Sequence, residues 1–300
     1  MRRSAPSSAG ARHRRAVVRA VVTTTVFLVV VAGAAVGVAS YLRHLDAVPF
    51  VVRCAAQSEG TSWYLQTDQA DNAALLAATS LRRGLPARAT TVAIATGLQE
   101  SKLRNLDGGD RDSVGIFQQR PSQGWGTVEQ IMDPVYSTNA FYDALVKVDG
   151  YLEMPITVAA QEVQRSGFPD AYAQHEERSR AWASAMYGYT PQAVTCTLPD
   201  SEAPGDPGLV SARVARDFGA LPTSVEADGS VLVDATSMAT ADDADRLGWA
   251  VAHWAVTVAA AMQVVEVEHA GFTWDRAEGA WTASPDAAGP PGQVRIVLAD

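Results

Sequence analysis

The stretch "ATGLQESKLRNLDGGDRDSVGIFQQRP", Ala95 to Pro121, begins as an apolar run, ends that run on a Glu-Ser pair, and opens into a loop of Gly, Asp and Gln. A carboxylate at the edge of a core is costly unless hydrogen bonds or chemistry use it. Val92, Ala95 and Leu98 share one face at helical spacing, which predicts a helix from about Ala87 to Ser101. Glu100 then falls at a helix C-terminus, where the helix dipole disfavours negative charge. An idle surface glutamate fits that position poorly.

Working outward, Asp68 to Arg83 reads as a helix stopped by Gly84, and Pro86 opens the next one. Lys102 to Ser113 is a polar loop, and Val114 to Gln119 is a short apolar turn or irregular strand. Thr127 is an N-cap for a short helix over Val128–Asp133, and Asp133-Pro134 opens another towards Val148. Two more helices follow, around Ile156–Ser166 and Ala171–Gly188. Residues 68–197 therefore read as a mainly α-helical domain behind a connector at 43–67. "LPDSEAPGDPG", 198–208, is a Pro/Gly/acid linker. Beyond it come a helix over Leu209–Phe218, a strand in "SVLVDA", and a long helix capped by Thr240 with the stripe Leu247, Val251, Trp254, Val258 and Met262. "VVEVEH" alternates as a half-buried strand does, "GFTWD" and "AWTAS" flank a turn at Glu278-Gly279, and "QVRIVL" closes the chain. Residues 209–300 read as a small α/β domain, and the whole chain as α+β.

At the other end, Arg2, Arg3, Arg12, Arg14, Arg15 and Arg19 precede any acid, so the net charge of −9 hides about −15 on the rest of the chain. An acidic body argues against a nucleic-acid partner, which needs clustered Lys and Arg. Ala20 to Leu42 has no charged residue over 23 positions, enough to cross a bilayer as a helix. It is long for the apolar part of a cleaved signal peptide, and no clear small-x-small cleavage site precedes the polar part. We read residues 20–42 as a single-pass anchor in the lipid bilayer, with the basic tail 1–19 cytoplasmic and the remainder extracellular. Cys54 and Cys196 both lie on that outer side, where disulfides persist. Their pairing is expected, and it closes a long loop worth about 4–5 kcal/mol in the chain-entropy model. His13, His44, His175, His253 and His269 show no metal-ligand spacing, and no phosphate-binding glycine loop follows a strand. Neither a metal nor a cofactor is expected.

"LQES" at Leu98–Ser101, "SVGIFQQRP" at Ser113–Pro121 and "DPVYSTNAFYDAL" at Asp133–Leu145 together resemble the soluble lytic transglycosylases and goose-type lysozymes. In that family a Glu-Ser closes a buried helix, a Gly-apolar-apolar-Gln segment forms the cleft wall, and a later helix packs behind it. The resemblance covers roughly Asp68 to Gly188 and implies a lysozyme-like domain that cleaves the β-1,4 bond between N-acetylmuramic acid and N-acetylglucosamine in peptidoglycan glycan strands. It implies that Glu100 is the general acid and that Ser101 orients that carboxylate or the substrate. Gln118, with Gln119 beside it, would contact the sugar, and Trp125, Tyr142 and Tyr172 are further substrate-side candidates. Each has a plainer reading: Gln118 as a turn cap, Trp125 and Tyr142 as core.

A proton must reach the leaving oxygen as the sugar becomes oxocarbenium-like, and an apolar wall lets a carboxylic acid hold that proton at neutral pH. A lytic transglycosylase needs no second carboxylate, whereas a goose-type lysozyme uses a "GDR" Asp to position water. "GGDRDSVG" offers Asp110 in that place with Asp112 next to it, either as water-positioning groups or as loop braces. A second goose-type Asp is Arg120 here. The family's Tyr-Asn segment, whose Tyr meets the catalytic Glu, is absent, and Gln161, Gln164 and Tyr172 are the candidates for its place. Hydrolysis and transglycosylation both stay open. So do an inactive glycan-binding module and an envelope scaffold whose C-terminal domain holds a protein partner.

Overall fold

The computed structural model describes residues 8–45, 51–238, 243–284 and 288–300. The chain divides after Val51 into two compact units. The first holds one helix, α1 (Ser8–Leu45). Its Val17–Val38 portion, 22 residues of mean hydropathy 2.4, is long and apolar enough to cross a membrane. At 1.5 Å per residue it measures about 33 Å, close to a bilayer's hydrocarbon thickness. Arg2, Arg3 and residues 46–50 of the connector lie outside the described residues, as does Thr240.

The second unit, Val52–Asp300, is α+β. It opens on a hairpin, β1 (Arg53–Ser58) and β2 (Thr61–Leu65), where the sequence reading placed a connector. The turn is Glu59-Gly60, both at positive φ, the geometry of a two-residue hairpin turn. Glu in the first of those places hides the signal that Asn or Asp would have given. The third strand of this sheet, β3 (Val194–Thr197), arrives 142 residues after Cys54 and pairs with β1 so that Cys54 faces Cys196. The two cysteines form the expected disulfide.

Between β2 and β3 run six helices: α2 (Thr67–Arg82), α3 (Ala87–Ser101), α4 (Val128–Met132), α5 (Pro134–Leu145), α6 (Ile156–Gln164) and α7 (Glu176–Met186). The starts follow the sequence signals. Thr127 and Gln130 make a reciprocal capping box, and Asp133 accepts from the Val135 amide ahead of Pro134. Helix α3 is the central element: Val92, Ala93, Ile94 and Ala95 are buried in turn, and α2, α5, α6 and α7 all pack on it. A helix wrapped on every side reads as apolar all round, which is why its polar end stands out.

After β3, α8 (Pro207–Phe218) is capped by Asp206. Strands β4 (Thr223–Val225), β5 (Val231–Asp234), β6 (Val264–His269), β7 (Phe272–Asp275), β8 (Ala280–Ala283) and β9 (Gln293–Leu298) form one sheet in the order β4-β5-β9-β6-β7-β8. Every pairing is antiparallel, so the region is α+β in its own right; the reading as α/β came from strands and helices interleaved in sequence, which hairpins also produce. Helix α9 (Ala244–Thr257) packs against α2, α7 and β3 as well as against β6 and β9. The 198–208 segment is held by the sheet region, with Pro199 O accepting from Arg276 and Gly205 N donating to Ala299 O.

An ion network lies where α2, α8 and α9 meet. Asp217, fully buried, accepts from Arg213, Arg216 and the Trp254 indole, and Arg213 also pairs with Asp71 on α2. Nearby, His253 on α9 is buried between Ala185 O, 2.7 Å from Nδ1, and the Ala193 amide, which donates to Nε2 at 3.1 Å. That pattern needs a neutral ring, and burial pushes its pKa down to about 4.

Candidate functional site

The end of α3 is built to present a polar group. The helix stops because Lys102 and Leu103 both adopt left-handed backbone, and their amides fold back onto the Leu98 and Gly97 carbonyls. Helix α2 fixes this turn: Gln69 donates to Lys102 O and Asn72 to Leu103 O, at 2.8 and 2.9 Å. Leu103 is buried directly over Gly97, where an added Cβ would sit 2.5 Å from its Cδ1 and 3.2 Å from Ile116 Cγ2. Gly97 is therefore what lets the 103 and 116 side chains close over the last turn.

Ser101 is buried, and its hydroxyl donates to Ile116 O at 2.6 Å while accepting the Arg104 amide at 3.0 Å. It ties the helix end to the 113–119 segment and makes no bond to Glu100, so its part is architectural where the family resemblance had it orienting a carboxylate or substrate. Leu106 pairs with Gly115 and Val114 with Gln119 as isolated bridges, so the apolar turn is irregular, as the sequence suggested. Phe117 stacks on Phe141 of α5 at 4.3 Å between ring centres.

Glu100 itself is half-buried. Tyr172, fully buried and lying in the turn before α7, donates its phenol to Glu100 Oε1 at 2.6 Å. Burial and then this hydrogen bond hold the phenol well above its ordinary range, so it stays a donor. Among the described residues no other group bonds the Glu100 carboxylate, and Oε2 has no protein partner. Two residues beyond Tyr172, Gln174 donates to Gln99 Oε1 at 3.0 Å, and His175 Nε2 lies 3.2 Å from the same oxygen. Burial, then the Arg178 charge, lowers the His175 pKa. The 171–175 turn is thus latched onto the α3 end at two successive positions, 99 and 100. Sequence reasoning gave no sign of Gln99, Gln174 or His175. The pairing links positions about 75 residues apart, and only their adjacency to Glu100 and Tyr172 marked them.

The remaining candidates scatter. Asp110 is exposed with Arg111 its nearest charge, at 3.9 Å. Asp112 accepts from the Ser122 amide and hydroxyl and from Arg120 Nε, at 2.8, 3.0 and 2.7 Å. The Ser122 bonds, then Arg120, hold its carboxyl far below the usual range. It is a loop brace, and Arg120 is its partner. Gln118, at positive φ, folds over Gly109 and spends both ends internally, accepting from Ser113 and donating to Gly115 O. Gln119 is buried and donates to Ser137 O on α5. Tyr142 is also fully buried, donating to Leu76 O at 2.9 Å, and burial raises its pKa. The expected sugar contacts of Gln119 and Tyr142 are therefore corrected: both side chains are core, drawn there because α5 buries this face. Of the three candidates for the absent Tyr's place, Tyr172 bonds Glu100, whereas the Gln161 side chain bonds only Ser166 and Gln164 donates to Phe117 O at 2.7 Å.

Trp125 is half-buried and lines a groove of about 840 Å³ between the ends of α5 and α6, with Gln164 on the same wall. Glu100 does not line it. The described residues contain no cluster of His, Cys, Asp and Glu able to hold a metal ion. No protein-family model matches the chain, and no curated protein matches it either.

Proposed function

We propose that the chain is a membrane-anchored peptidoglycan glycosidase, acting outside the cell on the β-1,4 bond between N-acetylmuramic acid and N-acetylglucosamine with Glu100 as its single acid. The observation that carries this reading is the Tyr172–Glu100 hydrogen bond at the end of a buried helix. A phenol that donates to Oε1 leaves the acid proton to Oε2, the oxygen with no protein partner among the described residues. That proton passes to the leaving O4 of N-acetylglucosamine as the C1–O4 bond breaks. The carboxylate left behind is steadied by the same phenol and takes the proton of the attacking oxygen. That oxygen belongs either to the muramoyl 6-hydroxyl, which gives a 1,6-anhydro end, or to water, which gives a reducing end. With Asp112 committed to Arg120 and Ser122, and Asp110 remote from any partner but Arg111, the intramolecular route asks less of the site. In this reading the basic tail stays inside and the Cys54–Cys196 unit faces the wall.

Mass spectrometry of peptidoglycan incubated with the protein is the test. Anhydro ends support transglycosylation, reducing ends support hydrolysis, and intact strands reject both. A second reading, an inactive glycan-binding module, draws on the Trp125 groove, a binding surface that Glu100 does not line. Co-sedimentation with insoluble peptidoglycan without release of fragments would select it.

A further inference from the structure

The turn that carries Tyr172 is tied to α3 by more than its phenol. Gln174 spends both N–H groups of its side-chain amide, one on Ala171 O within the turn and one on Gln99 Oε1, each at 3.0 Å. His175 Nε2 meets the same Gln99 oxygen at 3.2 Å, and an amide oxygen only accepts, so that nitrogen carries the ring proton. Within the turn, the Ala171, Ala173 and His175 amides donate to the Phe168, Asp170 and Tyr172 carbonyls, which joins 168–175 into one piece. Its far end is held by Thr157 of α6, which donates to Pro169 O at 2.6 Å. Gln99 and Glu100 are neighbours on α3, so their side chains leave the helix about 100° apart. On the α3 side, a turn bonded to Glu100 alone can pivot about that bond, and one bonded at both positions cannot. Gln174 is exposed and Gln99 half-buried, so water can take over their bond and its contribution to folding is small. What the bond fixes is direction.

We infer that Gln99 and Gln174, with His175 beside them, are positioning residues that aim the Tyr172 phenol at Glu100 Oε1. A proton donor must be held to within about 0.5 Å of its productive geometry, and residues that act through Tyr172 do this without touching substrate. Freed of Gln99, the phenol samples orientations off Oε1, and the carboxyl that it steadied turns with it. Neither amide is asked to touch the strand, so the loss falls on kcat and spares KM. The kinetic consequence rests on the proposed glycosidase; the geometric one does not.

The test uses the full chain in detergent, labelled with carbon-13 at tyrosine Cζ and observed by NMR. Of the eight tyrosine resonances, the one that disappears in Tyr172→Phe belongs to Tyr172, and its shift reads the phenol's hydrogen bond with no need for cleavage. Gln99→Met keeps the length of the side chain and removes the acceptor. Gln174→Met removes the donor from an exposed position and serves if the first variant folds poorly. The expected result is that either variant moves the Tyr172 resonance in the direction that Glu100→Ala moves it. Gln99→Met also lowers kcat for strand cleavage about ten-fold and leaves KM within about two-fold. Added to Tyr172→Phe it costs nothing more, because no phenol remains to aim. An unmoved Tyr172 resonance in both variants, or losses of rate that multiply in Tyr172→Phe/Gln99→Met, would overturn the inference. A moved resonance in a protein that never cleaves a strand keeps the latch and loses the glycosidase. Cleavage with an unmoved resonance does the reverse.

Discussion

Two carboxylates in this molecule end up in opposite situations. Asp217, where α2, α8 and α9 meet, has both oxygens taken: Arg216 on one, Arg213 and Trp254 on the other. Glu100, at the end of α3, has one oxygen bonded to a neutral phenol and the other with no protein partner among the described residues. Saturation by cations fixes a charge in place and serves packing. A single neutral donor fixes a geometry and leaves an oxygen for something else. Asp112 sides with Asp217, since Ser122 and Arg120 occupy both its oxygens. The difference separates a brace from the group proposed as the proton donor.

The contrast breaks most visibly in stability. Reducing the Cys54–Cys196 bond, or replacing both residues by Ser, frees a loop of 142 residues and is expected to cost about 4–5 kcal/mol, read from the denaturant midpoint. Asp217→Ala leaves Arg213 buried beside a lost partner and is expected to cost about 3–5 kcal/mol by the same measurement. Glu100→Gln should leave the midpoint within about 1 kcal/mol, because a half-buried group with one neutral bond contributes little. An equal loss from both variants would erase the distinction. The His253 corner gives a pH signature. Its pKa of about 4, against 6.5 when unfolded, means that the unfolded chain alone gains the proton between those values. Stability is therefore full above pH 6.5 and falls as the pH drops to 4, by roughly 3 kcal/mol; His253→Gln should flatten that slope.

Two smaller effects sharpen the Glu100 side. Tyr172→Phe removes the phenol and is expected to slow strand cleavage by about 10- to 100-fold, with a loss of stability near 1 kcal/mol. Asp112→Asn leaves the Glu100–Tyr172 pair untouched and should keep the parent's rate of cleavage. A large drop would return Asp112 to the chemistry.

Much of the helical region was legible because its boundaries rest on local devices. Thr127, Asp133-Pro134 and Gly188 act within a turn or two of their own position, and the elements they delimit appear where expected. The disulfide was legible from the outer-side placement expected of both cysteines. The β1–β2 hairpin was not, because its strands are short and its Glu-Gly turn lacks the usual Asn or Asp. At the site, Glu100 stood out as a misplaced charge, and Tyr172 was in view only as one of several aromatics. The roles of Gln118, Gln119 and Tyr142 depended on which way each side chain turned. That was settled by Gly109, Ser137 and Leu76, none of them near in sequence to all three.

The measurement closest to the centre of this account is the initial rate at which Glu100→Gln releases fragments from purified peptidoglycan, set beside the parent at equal concentration and equal folded fraction. The account predicts cleavage by the parent and a rate at least about 1,000-fold lower in the variant. Equal rates would show that the open oxygen of Glu100 delivers no proton to the sugar.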